Sequence, residues 1–252
     1  MRELDRIPTP LPVPAAAVGS LTACAIVGAG RLGTALAAAL RATGLEIEGP
    51  LGRGADPRGV DAILLCVPDG EIAAAAAAVS PGVPVGHCSG ATGLDALAGH
   101  EAFNLHPLMS VPATGAPVFA GAGAAVAGST PRALSVAREL AARLGMQPAT
   151  VADEDRAAYH AAASIASNFL VTLEGAAERL AGTAGVDRTL LAPLVRATVE
   201  NWARLGAADA LTGPIERGDE ATVARQRAAV GQRAPDLLPL FDAMADATRA
   251  LA

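Results

Sequence analysis

Lysine is absent from all 252 residues, and the nineteen basic side chains are all arginine. Any mechanism that needs a side-chain amine is thereby excluded. Aromatics are scarce too, with one Trp, one Tyr and four Phe, while 52% of the chain is apolar and much of that is alanine. An interior built from such residues consists of closely packed helices and sheets with small side chains. No basic block or arginine stripe interleaves with aromatics, and the net charge of −6 with a pI near 5.2 argues against a nucleic-acid surface. A small molecule is the expected partner. Cys24, Cys66 and Cys88 each lie in or at the end of an apolar run, and none belongs to a CxxC pair. They read as small buried hydrophobes in a reducing compartment rather than disulfide partners or metal ligands, and no metal site is expected. No run of uninterrupted apolar residues is long enough for a membrane span, and the first twenty residues carry four prolines and no long apolar run. Residues 1–20 are expected to form a loosely ordered arm, and the protein to be cytoplasmic.

The length allows two domains. From Leu21 to about Val151, short apolar runs alternate with helical stretches. Strands are predicted at Thr22–Val27, Glu46–Leu51, Ala62–Val67, Val83–Cys88, Ala102–Leu105, Ala122–Ala127 and Gln147–Val151. Helices are predicted at Arg31–Thr43, Glu71–Val79 and Pro131–Leu144, the last capped by Ser129 or Thr130 ahead of a proline. Such alternation means βαβ units and a mainly parallel sheet, an α/β architecture. After Val151 the strand signals stop. One helix is predicted over Asp153–Ala181, roughly 40 Å long, followed by helices near Arg188–Leu205, Glu220–Gly231 and Pro235–Leu251. The composition shift divides the chain into residues 21–152 and an all-helical part, 153–252.

Residues Cys24 to Leu36 read as a strand, a GxGxxG and an alanine-rich helix in that order. Gly28 permits the tight turn, Gly30 lets the backbone approach a pyrophosphate, and Gly33 lets the helix pack on the strand. The N–H groups that open the helix, at Arg31, Leu32 and Gly33, face the anion. This is the fingerprint of a Rossmann domain that binds a pyridine dinucleotide. The second strand leads into Gly52-Arg53-Gly54, so Arg53 is positioned for a ribose 2′-phosphate and NADP(H) is preferred to NAD(H). A shifted register would bring Glu48 to the same place and restore NAD(H). Val67 and Pro68, after the third strand, line the adenosine or pyrophosphate, and Asp69 reads as a cap for the following helix.

Ser89 and Gly90 stand at the fourth strand end, where a nicotinamide or substrate would be reached. Ser89 either binds a substrate carbonyl or carboxylate or caps the short helix that follows. His106 stands on the same rim, and His87 reads as a buried core histidine. On the long helix His160, Ser164 and Asn168 are spaced four apart and share one polar face, while Ile165, Phe169 and Leu173 point the other way, toward a core. The polar stripe is either a solvated face or a surface in close contact with another element.

These residues carry a resemblance. The N-terminal half resembles the Rossmann domains of ketopantoate reductase, pyrroline-5-carboxylate reductase and deazaflavin-dependent NADP oxidoreductase. From Thr22 onward the chain is similar to bacterial Rossmann-like proteins with domain of unknown function 2520. The match lies in Gly28–Gly33, in His87-Cys88-Ser89-Gly90-Ala91 and Leu105-His106-Pro107-Leu108, in Tyr159-His160 through Ser167-Asn168, and in Leu211-Thr212-Gly213-Pro214 with Arg217-Gly218-Asp219. It implies a 6-phosphogluconate-dehydrogenase-like helical C-terminal domain and a homodimer built through it. Ketopantoate reductase and the hydroxyacid dehydrogenases place a lysine on the first long interdomain helix with an asparagine four residues on. Here His160 with Ser164 or Asn168 occupies the comparable region, so an imidazole would replace the ammonium.

The function expected is an NADPH-dependent reductase of a small carboxylate-bearing carbonyl or imine, held between the domains. His160 would be the proton donor and Arg217 the carboxylate contact. Ketopantoate is the first substrate to try and pyrroline-5-carboxylate the second, by family analogy. The rival from another class is a non-catalytic NADP(H)-binding sensor or assembly protein, which the missing lysine favours. A second rival is a dehydrogenase running the same chemistry in reverse.

Overall fold

The computed structural model describes residues 20–112 and 117–252, so the arm expected over residues 1–20 lies outside the described residues except for Ser20. Strands β1 (Ala23–Val27), β2 (Glu46–Leu51), β3 (Ala62–Leu65), β4 (Val85–His87), β5 (Ala102–Leu108), β6 (Gly123–Gly128) and β7 (Gln147–Thr150) form one sheet. Their order is β2-β1-β3-β4-β5-β6-β7, with every neighbouring pair parallel except β5 and β6. Helices α1 (Arg31–Ala42), α2 (Ile72–Ala77) and α3 (Pro131–Arg143) connect the strands.

Strands covered on both faces need apolar residues at every position, which is why β1 and β3 read as continuous apolar runs, whereas the edge strands β2 and β7 are largely exposed. Alternation then divides the side chains between two cores. Cys24 and Ile26 join Leu36 and Leu40 of α1 and Val136 and Leu140 of α3. Ala25 and Val27 join Ile63, Leu65 and Ile72 on the opposite face. Thr130 caps α3, its hydroxyl accepting from Ala133 N at 3.1 Å with Pro131 in the first turn, an arrangement worth about 1 kcal/mol. The strand order reverses at β1, so the crevice for a ligand lies outside the carboxyl ends of β1 and β3.

Past β7 the chain is helical: α4 (Arg156–Ser164), a π-helical turn at Ile165–Phe169, α5 (Leu170–Gly182), α6 (Arg188–Leu205), α7 (Ala207–Ala210), α8 (Glu220–Arg233) and α9 (Leu238–Leu251). The single helix expected over Asp153–Ala181 therefore opens with a 3₁₀ turn at Asp153–Asp155 and is interrupted by the π turn. A π turn changes the advance per residue, so a face drawn at 100° steps does not continue across it. Ile165 and Phe169, expected in a core, are 61% and 57% exposed. Asp187 caps α6 through Thr189 N at 2.9 Å, and Asp219 caps α8 through Thr222 N at 3.0 Å. Arg227 on α8 grips Asp242 on α9 with two bonds of 2.8 Å.

The chain divides into two compact units, the first ending at Ala163 and the second beginning at Ser164. That division falls inside α4, beyond the composition shift at residue 152. The start of α4 belongs with the sheet because Arg156, only 2% exposed, is buried there. No described helix is long and apolar enough to cross a membrane.

Candidate functional site

The turn after β1 is built on three glycines with different reasons. Gly28 has φ +116°, and a β-carbon there would stand 2.2 Å from the Cys66 carbonyl oxygen. At Gly33 it would stand 2.0 Å from the Gly28 carbonyl oxygen, so α1 meets the turn at backbone contact. Gly30, the residue before α1, has nothing within 4 Å of that position, and no side chain caps the helix. The first two glycines are required by the fold and the third leaves an open approach to the N–H groups at the start of α1. A pyrophosphate fits that cradle. A cavity of about 710 Å³ lies beside it, lined by Gly30, Arg31, Thr34, Val111 and Pro112 among others. Among the described residues its lining comes from the turn, from α1 and from the segment after β5, and none of it from the β4 rim. Arg31 is exposed and donates to the Val111 carbonyl at 3.3 Å, whereas the Leu32 side chain packs on the core.

The β1–β2 register sets Ala25 against Glu48 and Val27 against Leu51, and Gly28 N donates to Leu51 O at 2.8 Å. Glu48 thus sits inside the strand, and Arg53 follows its end after Gly52. The Arg53 side chain is 83% exposed and pairs with Glu71 at 2.8 Å. A surface pair of this kind contributes at most about 1 kcal/mol, so the guanidinium can exchange it for a phosphate. Val67 is half-buried against the second core, and Pro68 is exposed beside it.

Asp69 does not cap a helix. Its carboxylate accepts from the Ser89 hydroxyl at 2.8 Å, an approach between residues twenty apart in sequence that periodicity does not reveal. Ser89 Oγ also accepts from Ala91 N at 3.2 Å and Thr92 N at 2.9 Å. One donor and two acceptor positions are all a hydroxyl has. Ser89 is therefore fully engaged in closing its own turn, and it caps no helix, since the 3₁₀ turn at Leu94–Leu97 follows Gly93 without a side-chain cap. These bonds fold the turn that contains Gly90.

Behind that turn lies a buried polar network. Asn104, fully buried on β5, donates from Nδ2 to Ser89 O at 2.9 Å and His87 O at 3.0 Å, and its Oδ1 accepts from Arg156 Nη1 at 3.0 Å. Arg156 Nε donates to Asp153 at 2.6 Å, while Nη2 has no partner among the described residues. His87 Nδ1 accepts from Ser89 N at 3.2 Å, which leaves Nε2 to donate to Gly93 O at 3.2 Å. Burial pushes the His87 pKa down, so this neutral tautomer is held.

In front of the turn three side chains meet. His106 Nδ1 and the Tyr159 hydroxyl lie 2.8 Å apart, and the His106 and His160 rings are 6.2 Å apart at 68°. Gly90 lets them converge, since a β-carbon there would be 2.9 Å from His106 Nε2 and 2.7 Å from His160 Cδ2. The pKa of His106 is lowered to about 4, chiefly by burial, then by His160 and Arg156. Burial raises that of Tyr159. Adjacent on α4, Tyr159 and His160 leave the helix about 100° apart, yet the Tyr159 hydroxyl bonds His106 and the His160 ring lies edge-on to the same imidazole.

Residues 123–248 match the family described as Domain of unknown function (DUF2520). The chain belongs to that family. The DUF2520 segment contains Arg156, Tyr159, His160 and Arg217 but neither the glycine turn nor Ser89, Gly90 and His106. Ser164 is half-buried, Asn168 is exposed in the π turn, and Arg217 is exposed in the turn before α8; all three belong to the second unit. Sequence reasoning missed Asn104 and Arg156. Asn104 stands two residues before His106 on one strand face and Arg156 one turn before His160, and these offsets were the available signal.

No curated protein matches this DUF2520 chain in sequence. Among solved structures, a Bacteroides fragilis protein provisionally described as an NADP oxidoreductase superposes with TM-score 0.78 at 17% identity, covering 91% of this chain and 98% of its own. A Thermotoga maritima protein follows with TM-score 0.73 at 22% identity and the same 91% and 98% coverage. Pyrroline carboxylate reductase of Plasmodium falciparum, solved with NADP bound, superposes with TM-score 0.57 at 11% identity, again over 91% and 98%. At these identities the likeness is one of fold.

Proposed function

We propose that this DUF2520 protein is an NADP(H)-dependent oxidoreductase that reduces a small carbonyl or imine substrate. The observation that carries the reading is one rim holding both a phosphate cradle and a cluster of proton-bearing groups. The cradle is Gly28, Gly30 and Gly33 with the opening N–H groups of α1. Arg53, just past the end of β2, favours a 2′-phosphate over a bare ribose. Likeness in fold to proteins named as NADP-linked reductases supports the same reading.

The dinucleotide would supply a hydride. The chain's own task is to hold the acceptor near Gly90 and deliver a proton to the atom that gains electrons. His160, exposed beside Gly90, is the proposed donor, with the His106–Tyr159 pair as its neighbour. His106 is neutral at physiological pH and orients rather than carries charge. Ser164, Asn168 and, for a substrate carboxylate, Arg217 are proposed as further contributors, each tested by single substitution. A second reading, dinucleotide binding without turnover, is favoured by the absence of lysine and by a Ser89 hydroxyl whose bonds are all taken. We further propose a homodimer formed through the helical unit, whose large apolar side chains are exposed in the single chain.

Calorimetric titration of the full chain with NADPH and NADH tests the cofactor, and NADPH consumption with ketopantoate and then pyrroline-5-carboxylate tests the reaction. Tighter NADPH binding is expected. A protein that binds neither nucleotide would overturn the reading, and one that binds NADPH yet consumes none with any carbonyl or imine in a broad panel would favour the non-catalytic alternative.

A further inference from the structure

Cys66 and Cys88 directly follow β3 and β4, and the register pairs Leu65 with His87, so the two cysteines are neighbours on adjacent parallel strands. Their sulfurs lie 3.7 Å apart, and both are free thiols. Neighbouring strands place α-carbons at a separation that a disulfide can span. Cys66 is half-buried and Cys88 is 7% exposed. We propose that Cys66 and Cys88 form a reversible disulfide under peroxide, and that this bond weakens dinucleotide binding at the adjacent glycine turn.

The coupling follows from what Cys66 touches. Its carbonyl and α-carbon back Gly28, its β-carbon would meet a side chain at Gly33 at 3.1 Å, and its N–H donates to Val27 O at 2.7 Å. It is the surface on which the phosphate turn rests. A disulfide brings the sulfurs to about 2 Å, drawing Cys66 toward β4 and away from that turn. The bond also ties Val67-Pro68 to Ser89-Gly90, the two loops that follow these cysteines on the rim.

The chemistry balances with hydrogen peroxide as oxidant. The Cys66 thiolate, the more accessible of the pair, attacks one peroxide oxygen to give a sulfenic acid, and hydroxide leaves and takes up the thiol proton as water. Cys88 then attacks the sulfenic sulfur, and the sulfenic oxygen departs with the Cys88 proton as a second water. Two thiols and one peroxide give one disulfide and two waters. Burial pushes the Cys24 thiol up to about 12, and the contact with Cys66 together with burial raises the Cys88 thiol as well, so Cys88 acts second and gives up its proton only as its sulfur bonds to the sulfenic sulfur.

The coupling rests on the glycine turn being the dinucleotide site, whereas the bond itself does not, and the experiment separates them. The full chain is treated with hydrogen peroxide, digested without reduction and mapped by mass, and NADPH affinity is measured before oxidation, after it and after dithiothreitol. Expected are a crosslinked Cys66–Cys88 peptide, a roughly tenfold loss of affinity and its recovery on reduction. Cys88→Ser, which keeps Cys66 behind the turn, should bind NADPH like the parent before oxidation and form no crosslink after it. Three free thiols, a crosslink to Cys24, or sulfinic acid at Cys66 without a crosslink would refute the disulfide. A crosslink that leaves affinity unchanged would refute the coupling. A reduced protein that binds no NADPH would overturn the function and the coupling together, while the peptide mass would still decide the bond.

Discussion

A methyl group on Gly90 would stand within 2.9 Å of ring atoms of both His106 and His160, so Gly90→Ala must displace an imidazole. His160 is exposed and can swing away, whereas His106 is held by Tyr159. The variant should fold, with a loss of about 1–3 kcal/mol as for other overpacked sites, and NMR should report a moved His160 ring with the His106–Tyr159 contact kept. An unchanged His160 environment would contradict the geometry. The low pKa of His106 has its own consequence. Native His106 titrates at about 4 against an ordinary 6.5, so between those values the unfolded chain takes up a proton that the native chain refuses. Stability from this group is complete above the ordinary value and is lost as pH falls toward the native one, an effect on the order of 3 kcal/mol. His87 is shifted in the same direction by burial. Urea unfolding across this interval should show stability falling with acidity, and His106→Gln should flatten the profile without abolishing the slope. An identical slope in the variant would mean that His106 titrates normally.

At the scale of elements, the β1–turn–α1 unit separates folding from binding glycine by glycine. Gly30→Ala adds a methyl to open space at an unstrained φ of −72°, so the melting temperature should hardly change while NADPH affinity drops. Gly28→Ala must both adopt φ +116° and enter the Cys66 backbone, so it should destabilise the whole domain. If Gly30→Ala bound NADPH normally, the turn would not be the pyrophosphate site. Arg53→Glu should weaken NADPH selectively, and an equal loss for NADH would point to misfolding instead. The same unit shows why some elements were legible in the sequence. Buried parallel strands demand apolar runs, glycine turns punctuate them, and β1 to β7 stand close to their expected places. The π turn was not legible, because a wider hydrogen-bond loop changes no residue type and leaves the apolar spacing looking continuous. Nor was the Asp69–Ser89 bond or the Asn104–Arg156 bond, both made between elements far apart in the chain. Loop and rim positions could be assigned to one edge of the sheet, but the partner each polar atom chooses depends on tertiary packing.

The whole molecule leaves a question of assembly that its helical unit makes testable. Ile165, Phe169, Val171, Leu190, Leu194 and Trp202 are 61, 57, 70, 70, 65 and 55% exposed in the single chain. Scattered apolar side chains on a surface need no explanation, and these six, on the π turn, α5 and α6, are the candidates for the proposed dimer surface. Full burial of each would contribute about 1.5–3 kcal/mol, against roughly 4–15 kcal/mol for association, so several must act together and no single one decides the outcome. The proposed occupant is a second copy of the same chain, for which a symmetric pairing of this surface with itself is the simplest closed arrangement. Sedimentation at micromolar concentration should then give a dimer for the full chain. The double variant Val171→Asp and Leu194→Arg places charges on α5 and α6 at side chains with little native contact to lose, so it should dissociate the dimer while leaving the far-ultraviolet dichroism of the helices intact. A parent chain that sediments as a monomer, or a double variant that remains dimeric, would show that this face does not join two copies.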